Sequence, residues 1–103
     1  RKPINWSLSD SECFRILSVG RLSYQKGFDL IPQIAVLLKE AGHKFSWYII
    51  GDGSEKVSIL ESIQELDMAD CVKLIGIELN PYPFFEACDL YVQPSRYEGY
   101  CLT

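Results

Sequence analysis

An α/β fold built on a parallel sheet is predicted by two features of this chain. Four short apolar runs, FRILSV (14–19), FSWYII (45–50), CVKLI (71–75) and DLYVQ (89–93), recur about 20–30 residues apart. That interval is the rhythm of strand–helix units and is too long for hairpins. The runs are also continuously apolar rather than alternating, as strands covered on both faces are.

The segments between the runs read as helices. Leu30, Ile31, Ile34, Leu37, Leu38 and Ala41 follow helical spacing and form one face. Pro32 falls in the first turn, where its lack of an N–H costs little, and Gly42 is placed to end the helix. A second helix begins near Ser54 and is expected to bury Ile59, Leu60, Ile63 and Leu66. A third, shorter one has Asn80 as N-cap and Pro81 at its first position, and runs to about Ala87. No repeat, linker or low-complexity segment interrupts the alternation. The expected architecture is a parallel sheet with alternating helices, wound in the Rossmann manner.

The length of 103 residues fits one domain with a core of its own. A composition of 48% hydrophobic and 23% charged residues is that of an ordinary globular protein. The formal net charge of −4 argues against a nucleic-acid partner, which would need a basic face. No apolar run approaches the roughly 20 residues that span a bilayer, and the N-terminus lacks a secretory core, so a cytoplasmic location is expected. Cys13, Cys71, Cys88 and Cys101 form no CxxC pair and show no zinc-like spacing. They read as small core hydrophobes suited to a reducing compartment, with a disulfide left open.

Open parallel sheets take ligands at the carboxyl ends of their strands. The unusual residues of this chain fall there. GRLSYQKG (20–27) follows the first strand, GDGS (51–54) the second, and PSRYEGY (94–100) the fourth. Glycines allow sharp turns or close approach to a ligand, and helix N-termini favour anions. Arg21 can fork two phosphate oxygens while Lys26 supplies a mobile charge. The same pair could equally be solvated loop cations, and spacing alone leaves both readings open. There is no GxGxxG after the first strand and no GxxxxGK[ST]. His43 follows a helix end without a partner at ligand spacing, so it is expected to be exposed. No metal site is expected.

Four stretches carry a stronger signal together: ILSVGRLSYQKGFDLIPQIAVLL, WYIIGDGSE, CVKLIG and NPYPFFEACDLYVQPSRYEGY. In this order and spacing they resemble the group 1 glycosyl transferases. These are retaining enzymes with two Rossmann-like domains (the GT-B fold). The likeness runs over residues 14–103 and is to the first part of the C-terminal, nucleotide-sugar-binding domain. The resemblance implies that Arg21 and Lys26 hold the donor diphosphate. It implies that Glu98 contacts the donor sugar, and that the backbone at Gly99, Tyr100, Cys101 and Leu102 approaches sugar and phosphates. Ile77 and Glu78 match the segment that lines the base.

The resemblance also says what to expect outside the chain. The second acidic residue of the family's pair, eight positions after Glu98, would fall at position 106, beyond Thr103. The acceptor-binding N-terminal domain would lie elsewhere, and no catalytic residue is assigned within residues 1–103. The chain is thus expected to be a truncated donor-binding domain that transfers no sugar alone and leaves some apolar surface exposed. Its partner would be a nucleotide-diphosphate sugar, a substrate, with neither metal nor other cofactor required. An acceptor, and any peripheral contact with the inner face of a membrane, would come through the other domain. Two alternatives stand beside this reading: a nucleotide-sugar epimerase of the same architecture, and a non-catalytic ligand-binding or signalling module. A receiver-type module needs an acidic cluster after the first strand, where this chain has Arg21, and an Asp after the third, where it has GIELN.

Overall fold

The computed structural model of this chain describes residues 13–96. Its elements are β1 (Phe14–Val19), α1 (Ile31–Glu40), β2 (Phe45–Ile50), α2 (Lys56–Glu65), β3 (Val72–Gly76), α3 (Tyr82–Ala87) and β4 (Leu90–Tyr91). A single 3-10 turn, Phe28–Leu30, leads into α1. The four strands form one parallel sheet in the order β3-β2-β1-β4. The chain steps outward from β1 to β3 and then crosses back to place β4 on the far side of β1. The winding reverses there, as it does in Rossmann-type sheets.

Helices cover both faces, which is why the strands are apolar throughout. On one face Ile16, Trp47, Ile49 and Val72 pack with Ile31 and Ala35 of α1 and with Ile59 and Ile63 of α2. On the other, Leu17, Tyr48 and Ile50 meet Phe84 and Ala87 of α3. β2 lies between two neighbours, and all six of its residues are buried.

Several expected details shift. In α1, Leu37 is 66% exposed, and Ala35 takes the core position. The contact runs along Ile31, Ile34, Ala35 and Leu38, as the sequence pattern suggested apart from Leu37, and Val36 also packs against the core. Leu60 and Leu66 are likewise exposed, so α2 presents only Ile59 and Ile63 as fully buried contacts. α3 begins at Tyr82 with Pro81, not Asn80, as its N-cap, although the Asn80 side-chain oxygen accepts from the Tyr82 N–H at 3.2 Å. Cys13, Cys71 and Cys88 are unpaired and half-buried at the margins of the core rather than inside it. Burial raises the thiol pKa values of Cys71 and Cys88. Apolar surface is exposed beside β4, at Phe14, Leu90 and Tyr91.

β4 is the largest departure, at two residues instead of five. Regular pairing stops after Leu17↔Tyr91, and side chains continue the zip. The Val92 N–H still donates to Leu17 O at 2.9 Å, and Ser18 Oγ donates to Val92 O at 2.6 Å. The Tyr91 hydroxyl accepts from the Val19 N–H at 3.2 Å. Pro94, lacking an N–H, cannot continue a ladder. Ser18 Oγ also accepts from the Trp47 indole N–H at 3.0 Å, so one buried hydroxyl joins β2, β1 and the end of β4.

Ser18→Ala should therefore cost about 1–3 kcal/mol, because it strands a buried indole N–H and a carbonyl. Urea denaturation followed by Trp47 fluorescence would measure it, and an unchanged midpoint would refute the role given to this hydroxyl.

Candidate functional site

The loops that follow β1, β2 and β3 meet at the carboxyl edge of the sheet and are hydrogen-bonded to one another. Gly20 N–H donates to Ile50 O and Leu22 N–H to Asp52 O, both at 3.0 Å. Glu55 N–H donates to Leu22 O at 2.9 Å, and Gly51 N–H to Gly76 O at 2.8 Å. The parallel ladder thus runs on past the strands, with Leu22 fully buried beneath it. Gly51, at φ 149°, lies so close to the Gly20 carbonyl that a side chain there would collide with it. This glycine serves the packing of one loop on the next.

Above these loops lies an open cleft of about 540 Å³ lined by Gly20, Arg21, Asp52, Gly53 and Ile77. Arg21 is exposed and brings the positive charge. The Asp52 carboxylate accepts from the Gly53 N–H at 2.9 Å, which turns part of its charge back onto its own loop. Ile77, 68% exposed, provides an apolar wall. A guanidinium, glycine backbone and an apolar surface together suit a ligand that is anionic at one end and flat or apolar at the other. A roomier cavity of about 610 Å³, between Phe14, Leu38, Phe45 and Leu90, lies at the amino ends of the strands, far from these loops. His43, exposed as expected, borders that cavity and not the cleft.

Of the residues singled out from the sequence, Arg21 and Ile77 come together in the cleft. Lys26 sits half-buried on the same loop as Arg21 but is not among the lining residues, and exposed Glu78 adjoins Ile77 without lining the cleft. Glu98, Gly99, Tyr100, Cys101 and Leu102 lie outside the described residues. Asp52 and Gly53 line the cleft although the Asp-Gly sequence reads as an ordinary turn. Their position after the second strand was the available signal.

Sequence reasoning missed a second cluster altogether. Arg96 Nη1 and Nη2 bond Asp29 Oδ1 and Oδ2 at 2.8 and 2.9 Å, a bidentate fork. Nη1 also donates to Tyr24 O at 2.7 Å, and the guanidinium carbon lies 3.7 Å from the centre of the Tyr24 ring. The Arg96 N–H donates to Gln25 O at 2.8 Å. Gly27, left-handed at φ 74°, lets the Pro94 carbonyl approach where any Cβ would collide. The hydrogen bonds from Arg96 hold the Asp29 carboxyl below its ordinary value of 3.8, against a smaller opposing effect of burial.

An open, doubly wound sheet with a cleft bearing Arg21 over the carboxyl ends of its strands defines a Rossmann-type ligand-binding domain. The chain belongs to the group 1 glycosyl transferases, whose family model matches residues 5–103. It is 35% identical over 85 residues to the amylovoran biosynthesis glycosyltransferase AmsK of Erwinia amylovora, covering 79% of this chain and 20% of that protein. It is 34% identical over 86 residues to the O-antigen biosynthesis glycosyltransferase WclY of Escherichia coli, covering 84% of this chain and 23% of that one. The chain thus spans about a quarter or less of the length of these relatives. Among solved structures, S. aureus TarM, crystallised with UDP among its ligands, shares the fold with a TM-score of 0.78 at 24% identity. That match covers 94% of this chain and 20% of TarM. The catalytic domain of the cholesterol-alpha-glucosyltransferase from Helicobacter pylori matches with a TM-score of 0.65 at 26% identity, over 84% of this chain and 53% of that one. These relatives favour neither the epimerase nor the signalling alternative.

Gly27→Ala should destabilise the fold by on the order of 2 kcal/mol, since it adds left-handed strain to a clash with backbone. Thermal unfolding would read the loss, and a neutral result would refute the close approach to Pro94. The pH dependence of the Arg96–Asp29 pair follows from the lowered carboxyl pKa. Its contribution is complete above the ordinary aspartate value and disappears as pH falls through the lower native one. An NMR titration should show the Asp29 carboxyl taking up its proton at a pH below its ordinary value. Uptake at a higher pH would contradict it.

Proposed function

We propose that this chain is the donor-phosphate-binding part of a longer glycosyltransferase. That enzyme would move a sugar from a nucleotide-diphosphate sugar to an acceptor in polysaccharide, lipopolysaccharide or glycoconjugate synthesis. The observation that carries the reading is Arg21, held by a glycine-framed loop in a cleft over the carboxyl ends of the strands in a member of this family. The named relatives act in amylovoran and O-antigen synthesis, and TarM and Anabaena HepE were crystallised with UDP.

The chemistry asked of such a domain is limited. As the bond from the anomeric carbon to the diphosphate breaks, negative charge grows on the leaving oxygen, and fixed cations there lower the barrier. Arg21 would fork two phosphate oxygens and Lys26 would supply a second charge from the same loop. Ile77 and Glu78 would border the base. Glu98 and the backbone of Gly99, Tyr100, Cys101 and Leu102 are assigned to the sugar. Acceptor binding, any contact with the cytoplasmic face of a membrane, and closure over the donor would belong to a further domain. Orienting donor and acceptor together supplies much of the rate, so residues 1–103 alone are expected to transfer no sugar. Neutralisation by side chains leaves no task for a metal.

The test is calorimetric titration of UDP into the chain. Weak binding is expected, and Arg21→Ala should lower it by about 1–3 kcal/mol, the range for a charge-assisted hydrogen bond. Unchanged affinity would remove Arg21 from the site. In the full enzyme, turnover should survive EDTA, and a complete, reversible loss would show that a metal shares the diphosphate.

A further inference from the structure

We infer that Arg96 is a positioning residue: its fork onto Asp29 and its stack on Tyr24 clamp the chain leaving β4 against the loop that carries Arg21 and Lys26. The inference rests on the donor-phosphate reading and adds the device that holds the grip in place. The clamp joins segments 67 residues apart in sequence through contacts of four kinds. These are the guanidinium–carboxylate fork, the cation–ring stack, the hydrogen bonds from Arg96 to the main-chain carbonyls of Tyr24 and Gln25, and the approach of the Pro94 carbonyl to Gly27.

Arg96 is not itself suited to hold phosphate. Nη1 already serves Tyr24 O and Asp29 Oδ1, Nη2 serves Asp29 Oδ2, and the side chain is only 22% exposed. Its charge is matched by that of Asp29, so the pair adds little field to the cleft. The loop it holds is seated at its end by Phe28, fully buried in the core, and the clamp adds a tie across to the chain after β4. On the cleft side, residues 20–22 are tied into the extended ladder. From Ser23 to Gly27 the main-chain bonds within the loop are short-range turns, Lys26 N–H to Ser23 O and Gly27 N–H to Tyr24 O, both at 3.1 Å. Asp29 lies in the 3-10 turn at the loop's far end. The clamp therefore fixes that end relative to β4, and with it the place from which Lys26 acts.

The test follows amide hydrogen exchange over residues 20–30, with UDP titration, in the unsubstituted chain and in Arg96→Ala, Arg96→Lys and Asp29→Asn. Ile63→Val, in the core under α2, serves as a destabilised control outside the site. Arg96→Ala and Asp29→Asn should speed exchange at Lys26 and Gly27 and weaken UDP binding by about 2- to 30-fold, the span for residues that couple to a ligand without touching it. Arg96→Lys should keep most of the loss, because an ammonium restores charge but not the planar fork. The Arg96→Ala/Asp29→Asn double variant should be no worse than either single one. Ile63→Val should lower global stability and leave the affinity of the folded chain unchanged. Unaltered loop exchange in the Arg96 and Asp29 variants would overturn the inference. So would a loss of affinity that merely follows global stability across all the variants, Ile63→Val included. If the unsubstituted chain binds no UDP, the donor-phosphate reading fails, and the exchange measurements still decide the clamp.

Discussion

The buried hydroxyl of Ser18 is the point on which the sheet's connection to its ligand edge depends. It accepts from the indole of Trp47 on β2 and donates to the carbonyl of Val92, just past the end of β4. A strand of two residues has too few main-chain bonds to fix its own direction. By bonding the Val92 carbonyl, Ser18 ties the chain just past β4 to β1. An alanine would keep the layer apolar and leave both partners without a bond. The polar atom inside an apolar layer sets geometry rather than adding bulk.

Glycine has an unexpected division of labour here. Motif glycines beside a ligand edge are usually read as room for the ligand. In this chain Gly51 and Gly27 make room for protein backbone, the first for Gly20 and the second for Pro94. The loops are packed on one another before any ligand arrives. Preorganisation of that kind removes part of the ordering cost that binding would otherwise carry.

Most of the architecture could be read in the sequence. Continuous apolar runs at strand–helix spacing identify β1, β2 and β3 almost to the residue, because both faces of those strands are covered. Helix faces were less legible. Leu37, Leu60 and Leu66 fit the helical period but look outward, since periodicity marks a stripe and not the width of the surface opposite it. β4 was overestimated because its apolar run continues after pairing has passed to side chains. In the site, Arg21 and Ile77 were visible as a cation and an apolar residue at strand ends. The Arg96–Asp29–Tyr24 cluster was not, because nothing local links residues 67 and 72 positions apart. Only a family pattern could assign roles to Glu98 and the residues after it.

The long separations that tie β4 to the rest have a consequence for how the molecule comes into being. β1, α1, β2, α2 and β3 are consecutive in the chain and can settle on one another through neighbouring contacts. The bonds from Ser18 to Val92 and from Arg15 to Asp89 each close a loop of 74 residues. Such closures carry the larger entropic cost and come late in folding. On a ribosome, the layered core could assemble while residues 89–96 were still in the exit tunnel. The contacts of Arg96 and Pro94 with residues 24–29 would then be the last to form, made only when β4 has settled beside β1.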